Sequence, residues 1–548
     1  MDDAPLSATA DIEGYVPFPD ERIENYVEAG HWEGLTFHGV VDRVADDRPS
    51  IGRLVGPDRE VTYGDLAANS RRLAGAFRAL GLDPDDMVTF QLPNGIEFVE
   101  SFLACSRLGV VPAFVLPRHR EQELRHVVDL TESRAVVTVG NREKGFDYVG
   151  LVDRIADDYD HLEARVAVTA DGTDAPAGWH DFGAMRDQGE EVAGDDVNPC
   201  NPGLLMLSGG TSGLPKAIPR THNDYVYLWK HIAREMGVDA DWTLVAGLPI
   251  PHSFAFGYVL GAALWAGASV AVDPALKPDS LIRLVDRVDG DVITLVPKQL
   301  GDFLDADADG TLSTLRVVCS GGQKVPPELV RRVADRWNAG FCNVFGMGEG
   351  PQVITRPDDP LETQATTVGR PLGPGEELRI LDDDGAEVPR GDLGELVVRG
   401  PGVFTGYLRN EDANAKSFDE GGWFHTGDVF SRRHDGTYEV WGRLDDTINR
   451  AGETIHAPAV EDVLVEHPKV AAAAVVGVPD ESLGERVGAA VELREGVDAL
   501  TLDEVTAFFE DRGLAVFRRP ERLVVVETLP ETDVGKIDRG AVEGLFGD

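Results

Sequence analysis

The apolar run Leu204-Leu205-Met206-Leu207 opens directly into Ser208-Gly209-Gly210-Thr211-Ser212-Gly213-Leu214-Pro215-Lys216. Four large apolar residues bounded by a turn read as a short buried strand, so the loop is held at a strand end. Gly209, Gly210 and Gly213 let a backbone approach a ligand closely and reach positive φ. Hydroxyls and free N–H groups donate to oxyanions, and Lys216 supplies a point charge. A Walker A loop requires its last glycine directly before the lysine and a Ser or Thr directly after it. Here Leu214-Pro215 intervene, Ala217 follows, and Pro215 has no N–H and resists an immediate helix. Taken alone, the string fits either a polyphosphate cradle or a plain Gly/Ser surface loop.

The remaining sequence bounds the setting. A chain of 548 residues exceeds one compact core and predicts three or four domain-sized units packed into fewer named domains. It contains no long uncharged apolar run, and Met1-Asp2-Asp3 lacks the basic and apolar regions of a signal peptide. The expectation is a cytoplasmic protein without a membrane partner. Lys and Arg number 51 against 96 Asp and Glu, a formal net charge of −45. Such a surface repels nucleic acid and anionic membrane, so an anion site must be locally basic against the global field. The carboxylates are scattered, as in Asp239-Ala-Asp241 and Asp382-Asp383-Asp384. This pattern resembles halophilic proteins, where strong salt screens self-repulsion. Cys105, Cys200, Cys319 and Cys342 form no C-x-x-C pair, and no His stands at metal-ligand spacing. Cys319 and Cys342 read as small buried hydrophobes.

Helical and strand patterns alternate early: helix 63–80, strand 87–92, helix 95–108, strand 110–116. Residues 172–203, rich in Gly, Asp, Ala and Pro, read as a long surface connection. A strand at 315–319, a Ser320-Gly321-Gly322 turn and a helix opened by Pro326-Pro327 and closed by Gly340 resume the pattern. After Trp441-Gly442-Arg443 the elements shorten: helix 459–466, strands 470–478 and 487–493, helix 502–512, strand 523–527. The predicted fold is α/β, a large layered N-terminal body of βαβ units (1–442) with a small mobile α+β C-terminal domain (443–548).

Further segments fall in order along the chain. They are Ser320-Gly321-Gly322-Gln323, Phe345-Gly346-Met347-Gly348-Glu349-Gly350, Gly394 to Gly400, Trp423 to Asp428, Gly442-Arg443-Leu444-Asp445-Asp446, and Leu529 to Ile537 with Gly535-Lys536. With the glycine loop, this series resembles the adenylate-forming, AMP-binding superfamily of acyl-CoA synthetases, peptide-synthetase adenylation domains and luciferases. The resemblance implies ATP and Mg²⁺ as cofactors and places Ser208, Gly209, Gly210, Thr211, Ser212, Gly213 and Lys216 on the pyrophosphate end. It assigns Gly321, Gly322 and Gln323, with Phe345, Gly346 and Met347, to the nucleotide slot. Glu349 becomes a Mg²⁺ ligand, Asp428 the partner of the ribose hydroxyls, and Arg443 a grip on ribose or phosphate. Lys536 would offset charge as a carboxylate attacks the α-phosphorus, and Asp445 would be the hinge for rotation between half-reactions. By itself Asp428 reads as a turn residue, Glu349 as a surface carboxylate and Lys536 as an exposed lysine. Ala451-Gly452 stands where the family often has two glycines, and Ala adopts positive φ less readily.

Phe18-Pro19-Asp20-Glu21, Tyr26, Gly30-His31-Trp32 and Ile218-Pro219-Arg220-Thr221-His222-Asn223-Asp224-Tyr225 resemble one subgroup, the 2,3-dihydroxybenzoate-AMP ligases of catechol siderophore assembly. This implies an aryl carboxylic acid as substrate, with His252, Ser253, Phe254 and Gly257 on its pocket and His252 near the carboxylate. Alone, His252 reads equally as core filling. The subgroup has Asn where Ser253 stands, so this loop is expected to read ring hydroxyls weakly. The acceptor is a thiol, on a separate carrier protein or on free CoA. A general acyl-CoA or aryl-CoA ligase is the alternative, ahead of a luciferase-like oxidoreductase or a non-catalytic relative.

Overall fold

The structure is a computed structural model. It describes residues 7–50, 52–140, 142–143, 145–169, 173–208, 214–307, 310–451, 453–480, 482–512, 516–530 and 537–547. Two compact units emerge, one of residues 1–377 with 398–424, the other of 378–397 with 425–548. These units divide at 377/378, 397/398 and 424/425, whereas the boundary expected from the change in element pattern lies at 442/443.

The first unit holds two large sheets. In the seven-stranded one, Pro202–Leu207, Val111–Phe114, Met87–Gln91, Ala135–Val139, Ala164–Val168 and His180–Asp181 run parallel, with Ala217–Thr221 antiparallel at one edge. Met87–Gln91 and Ala135–Val139 are buried at every position, as parallel strands covered on both faces must be. The helix between 63 and 80 forms as Tyr63–Ala79. Thr62 Oγ1 accepts from Asp65 N and Asp65 Oδ2 accepts from Thr62 N, a reciprocal cap. The nine-stranded sheet has a parallel centre, including Val292–Leu295, Val317–Gly321 and Gly340–Gly346, and antiparallel edge strands.

Two expectations are corrected. Residues 172–203 are more than a connection, since His180–Asp181 adds a strand and Phe182–Gln188 forms a helix capped by Asp181 Oδ1 at Ala184 N, 2.7 Å. Flanking Gly and Asp had masked so short a helix. Helix Pro327–Trp337 ends on Asn338 at φ +51°, not on Gly340, which begins the next strand. A Cβ at Gly340 would meet Pro357 O at 2.5 Å, so close packing explains that glycine. All four cysteines are buried and none is in a disulfide. Cys319 and Cys342 are register neighbours on adjacent strands, and burial pushes the Cys319 thiol up, as for a buried apolar residue. Among the described residues no helix is long and apolar enough to cross a membrane.

The second unit contains a sheet of Glu453–His456, Thr447–Arg450, Gly484–Leu493 and Val470–Asp480, with Arg522–Val526 parallel on Gly484–Leu493. Ala457–Val465 and Leu502–Asp511 bury Val460, Leu464, Val505 and Phe509 in its core. Arg450 pairs with Glu453, so the first hairpin turns in two residues, a loop length that favours positive φ. Ala451 adopts φ +52° and donates from N to Leu483 O at 2.7 Å. A left-handed Ala costs about 1–2 kcal/mol, partly offset by the greater unfolded-state freedom of Gly. Ala451→Gly is therefore expected to raise the stability of this unit by about 0.5–1 kcal/mol. An unshifted denaturant midpoint would contradict the strain. Gly452 lies outside the described residues.

Candidate functional site

The base of the glycine loop is closed by its own ends. Lys216 N donates to Ser208 Oγ at 2.9 Å and Ser208 N donates to Lys216 O at 2.9 Å. Gly209, Gly210, Thr211, Ser212 and Gly213 lie outside the described residues, as does Lys536. The Lys216 ammonium stands 4.0 Å over the ring of Tyr407. Tyr407 Oη in turn donates to Glu349 Oε1 at 2.8 Å. Tyr407 is 3% and Glu349 9% exposed, so a cation, a phenol and a carboxylate line up in a site largely shielded from water.

Glu349 is held from behind as well. Phe404 N donates to Glu349 O at 2.8 Å. Gly350 has φ +123°, and a Cβ there would fall 2.0 Å from Gly402 O, so only glycine lets the two loops approach this closely. Glu349 Oε2 accepts no hydrogen bond among the described residues. Glu349 Oε2, a hard carboxylate oxygen, would suit a hard cation such as Mg²⁺, which it could help to hold. Among the described residues no cluster of three or more His, Cys, Asp or Glu side chains could hold a metal.

Gly321 and Gly322 leave the strand Val317–Gly321 beside the end of Gly340–Gly346, with Gly321 in register with Val344. Gly321–Gln323 and Phe345–Met347 therefore emerge together at the carboxyl ends of adjacent parallel strands, the usual ligand edge of an open α/β sheet. A Cβ at Gly321 would meet Val344 O at 2.1 Å, and Gly322 has φ +79°. Gln323 is exposed.

On the segment expected to line the substrate pocket, His252 is exposed and caps the turn Ser253–Ala255, accepting from Phe254 N at Nδ1, 3.3 Å. It is not core filling. Phe254 is buried, Ser253 half-buried, and Gly257 lies in a π-helical turn, Phe256–Gly261, where a Cβ would face Ile232 at 3.2 Å. The segment is less apolar than its letters imply. Tyr258 Oη donates to Gln352 Oε1 at 3.1 Å, its ring stands edge-on to Phe254 at 5.2 Å, and Gln352 Nε2 donates to Met347 O at 3.4 Å. A cleft of about 630 Å³ lined by Arg78, Asp83, Asp85, Arg107, Glu191 and Asp196 contains none of the predicted site residues.

In the second unit Asp428 is a strand residue of Phe424–Arg432, not a turn residue. It is 7% exposed and in register with Arg443, whose Nη1 donates to Asp428 Oδ2 at 3.2 Å. Gly427, at φ +69°, donates from N to Glu395 Oε1 at 3.0 Å, and His425 Nδ1 stands 2.8 Å from Glu395 Oε2. Glu395 thus fixes the bend that presents Asp428. Asp445 is exposed on the 3₁₀ turn Leu444–Asp446. Its neighbour Asp446 pairs with Arg539 Nε at 3.1 Å.

Tyr407 and Glu395 are the residues whose parts were not foreseen. Glu395 appeared only as a letter of a motif, and Tyr407 carries no local signal, because its partners are 58 residues away in Glu349 and still further in Lys216.

The profile of AMP-binding enzymes matches residues 41–408, and that of their C-terminal domain matches residues 459–536. The chain is 37% identical to the salicyl-AMP ligase / salicyl-S-ArCP synthetase of Mycobacterium tuberculosis, covering 97% of this chain and 95% of that protein. It is 36% identical to the 2,3-dihydroxybenzoate-AMP ligase of Bacillus subtilis, covering 98% of each. The apo structure of Mycobacterium smegmatis MbtA superposes with a TM-score of 0.74 at 34% identity, over 96% of this chain and 98% of that one. CoA ligases are also among the relatives. Profile, full-length identity and fold agree: the chain belongs to the AMP-binding enzyme family.

Proposed function

We propose that this enzyme activates an aryl carboxylic acid of the salicylate or 2,3-dihydroxybenzoate type as its acyl-adenylate and transfers the acyl group to a thiol. In the first step a carboxylate oxygen bonds to the α-phosphorus of ATP and the bond to the bridging oxygen of pyrophosphate breaks. In the second the thiol, losing its proton, bonds to the acyl carbon and AMP leaves. The observation that carries this reading is the Lys216–Tyr407–Glu349 alignment beside the paired strand ends at Gly321–Gln323 and Phe345–Met347.

In this reading Lys216 takes the β- and γ-phosphate charge and Tyr407 keeps both Lys216 and Glu349 oriented. Bound at Glu349, Mg²⁺ supplies charge neutralisation on the departing pyrophosphate. Asp428, presented by Glu395 and Gly427, accepts the ribose hydroxyls with Arg443 beside it. Lys536 stabilises charge at the attacked phosphorus. Residues 443–548 are the mobile module with Asp445 as hinge, His252 borders the carboxylate, and the reaction is cytoplasmic.

A pyrophosphate-exchange panel in molar KCl tests the substrate class. Salicylate, 2,3-dihydroxybenzoate or benzoate should support exchange and long-chain fatty acids should not; the reverse would overturn the aryl assignment. Offering a phosphopantetheinyl aryl carrier protein and free CoA then separates the two acceptors, and we favour the carrier. Because Ser253 replaces an amide, 2,3-dihydroxybenzoate and benzoate should differ by less than the roughly 10⁴-fold typical of a dedicated hydroxyl-reading site. Ser253→Asn should widen that gap toward the hydroxylated acid. A wild type already rejecting benzoate at that level would assign hydroxyl reading to other groups, such as Tyr258 and Gln352.

The net charge of −45 supports a high-salt habitat. Raising KCl from 0.1 M to 1 M shortens the screening length from about 10 Å to about 3 Å. It should raise the thermal midpoint more than it changes ATP affinity, because Lys216 and Arg443 neutralise ATP locally. Equal midpoints across that range would contradict the high-salt reading.

A further inference from the structure

The segment Ile218–Tyr225 marks the subgroup, yet none of its side chains belongs to the chemistry described so far. Its Arg220, on the edge strand Ala217–Thr221, has a fully buried side chain. The guanidinium is anchored to Asp224, with Nε 3.2 Å and Nη2 3.1 Å from Oδ1. Asp224 is itself fixed at the start of helix His222–Met236, accepting from Thr221 N at 3.0 Å and donating from N to Thr221 Oγ1 at 3.1 Å.

The outer donors of Arg220 leave the segment. Nη1 donates to Gly348 O at 2.7 Å and Nη2 to Gly402 O at 2.6 Å. Gly348 directly precedes Glu349, and Gly402 lies on the loop that carries Phe404 and Tyr407. The peptide of Gly402 is held on its other side too, its N–H donating to Glu376 Oε1 at 3.2 Å. Trp32, from the N-terminal segment that also marks the subgroup, donates from Nε1 to Pro401 O at 2.9 Å. Burial, with Asp224 adding to it, pushes the Glu376 carboxyl up to about 8 against the pull of Gly402 N–H and Arg220.

We infer that Arg220 is a positioning residue of the nucleotide site, tying the carbonyls of Gly348 and Gly402 so that Glu349 and Tyr407 are set against Lys216. The inference rests on the assignment of Lys216 and Glu349 to the nucleotide phosphates. A planar fork reaches two carbonyls and a carboxylate at once, whereas a single ammonium cannot hold all three in the same directions. The effect of losing Arg220 should therefore fall on Mg²⁺ and ATP, not on the aryl acid.

Two variants test this in the full chain. Arg220→Lys keeps a buried cation against Asp224 but not the fork. Arg220→Met/Asp224→Asn removes both charges together and leaves an amide oxygen for the Thr221 cap. For each, the unfolding midpoint, equilibrium binding of Mg·ATP, the Mg²⁺ dependence of exchange and the aryl-acid KM are measured. A folded variant is expected to exchange about thirtyfold more slowly, to need at least about fivefold more Mg²⁺ for half-saturation and to bind Mg·ATP more weakly, with aryl-acid KM within about twofold. Unchanged Mg²⁺ dependence and Mg·ATP binding in a folded variant would overturn the inference. So would a change confined to aryl-acid KM, or unfolding of both variants, which would make Arg220 a stability element only. If the wild type binds Mg·ATP but shows no exchange, the reaction assignment fails, while weaker Mg·ATP binding by the variants would still uphold the role of Arg220.

Discussion

Replacing Lys536 by Ala is expected to slow carboxylate-dependent pyrophosphate exchange by at least about a hundredfold, the scale of losing one preorganised electrostatic group. Thiol transfer from supplied aryl-adenylate should stay within about threefold of wild type, because the developing charge at phosphorus belongs to the first half-reaction alone. The expectation comes from the position of Lys536 in Leu529 to Ile537, a stretch resembling the family's lysine loop. The two half-reactions are assayed separately, exchange with ATP and acid, transfer with synthetic adenylate. Equal losses in both would mean a folding defect or a different role for Lys536.

Glu349→Gln is expected to be comparably severe, about a hundredfold in exchange at millimolar Mg²⁺, on the same scale for one charged group aimed at the transferring phosphates. The amide oxygen can still accept from Tyr407 Oη, now 2.8 Å from Oε1, so the fold and the Tyr407 orientation should survive. What is lost is the formal negative charge opposite Lys216, and an amide is a weaker ligand for a hard cation. A Mg²⁺ titration separates the causes: loss of a ligand moves half-saturation upward, whereas a purely structural change lowers the rate at every Mg²⁺ concentration. Exchange within about twofold of wild type would remove Glu349 from the metal site.

Much of the fold was legible because it rests on local patterns. Apolar runs such as Met87–Gln91 alternate with amphipathic stretches such as Tyr63–Ala79, and those periodicities fix strand and helix before any long-range contact forms. The small domain was equally legible, its helices Ala457–Val465 and Leu502–Asp511 falling where the spacing predicts them. Elements hidden by composition were missed, notably helix Phe182–Gln188 inside a stretch rich in Gly and Asp. Asp428 was misplaced for a related reason: Gly427 announces a turn, but here its positive φ makes a bend within the strand Phe424–Arg432.

The candidate site divides along the same line. Lys216, Glu349, Asp428 and Arg443 stand in recognisable strings, so resemblance singles them out. Tyr407 and Arg220 act through contacts with residues far away in sequence, such as the 182 positions between Arg220 and Gly402. No local periodicity encodes such a pairing. His252 illustrates the opposite failure: flanked by Pro251 and aromatic residues it reads as possible core, yet the helical turn that follows uses it as an exposed cap.

The central claim is that ATP is cleaved between its α- and β-phosphates by an aryl carboxylate held beside Lys216 and Glu349. Incubating the enzyme with Mg·ATP, salicylate and a thiol acceptor, and quantifying nucleotide and phosphate products by chromatography, tests it most directly. AMP and pyrophosphate in equal amounts, formed only when the aryl acid is present, is the predicted result. ADP with orthophosphate, or nucleotide turnover indifferent to the acid, would contradict it.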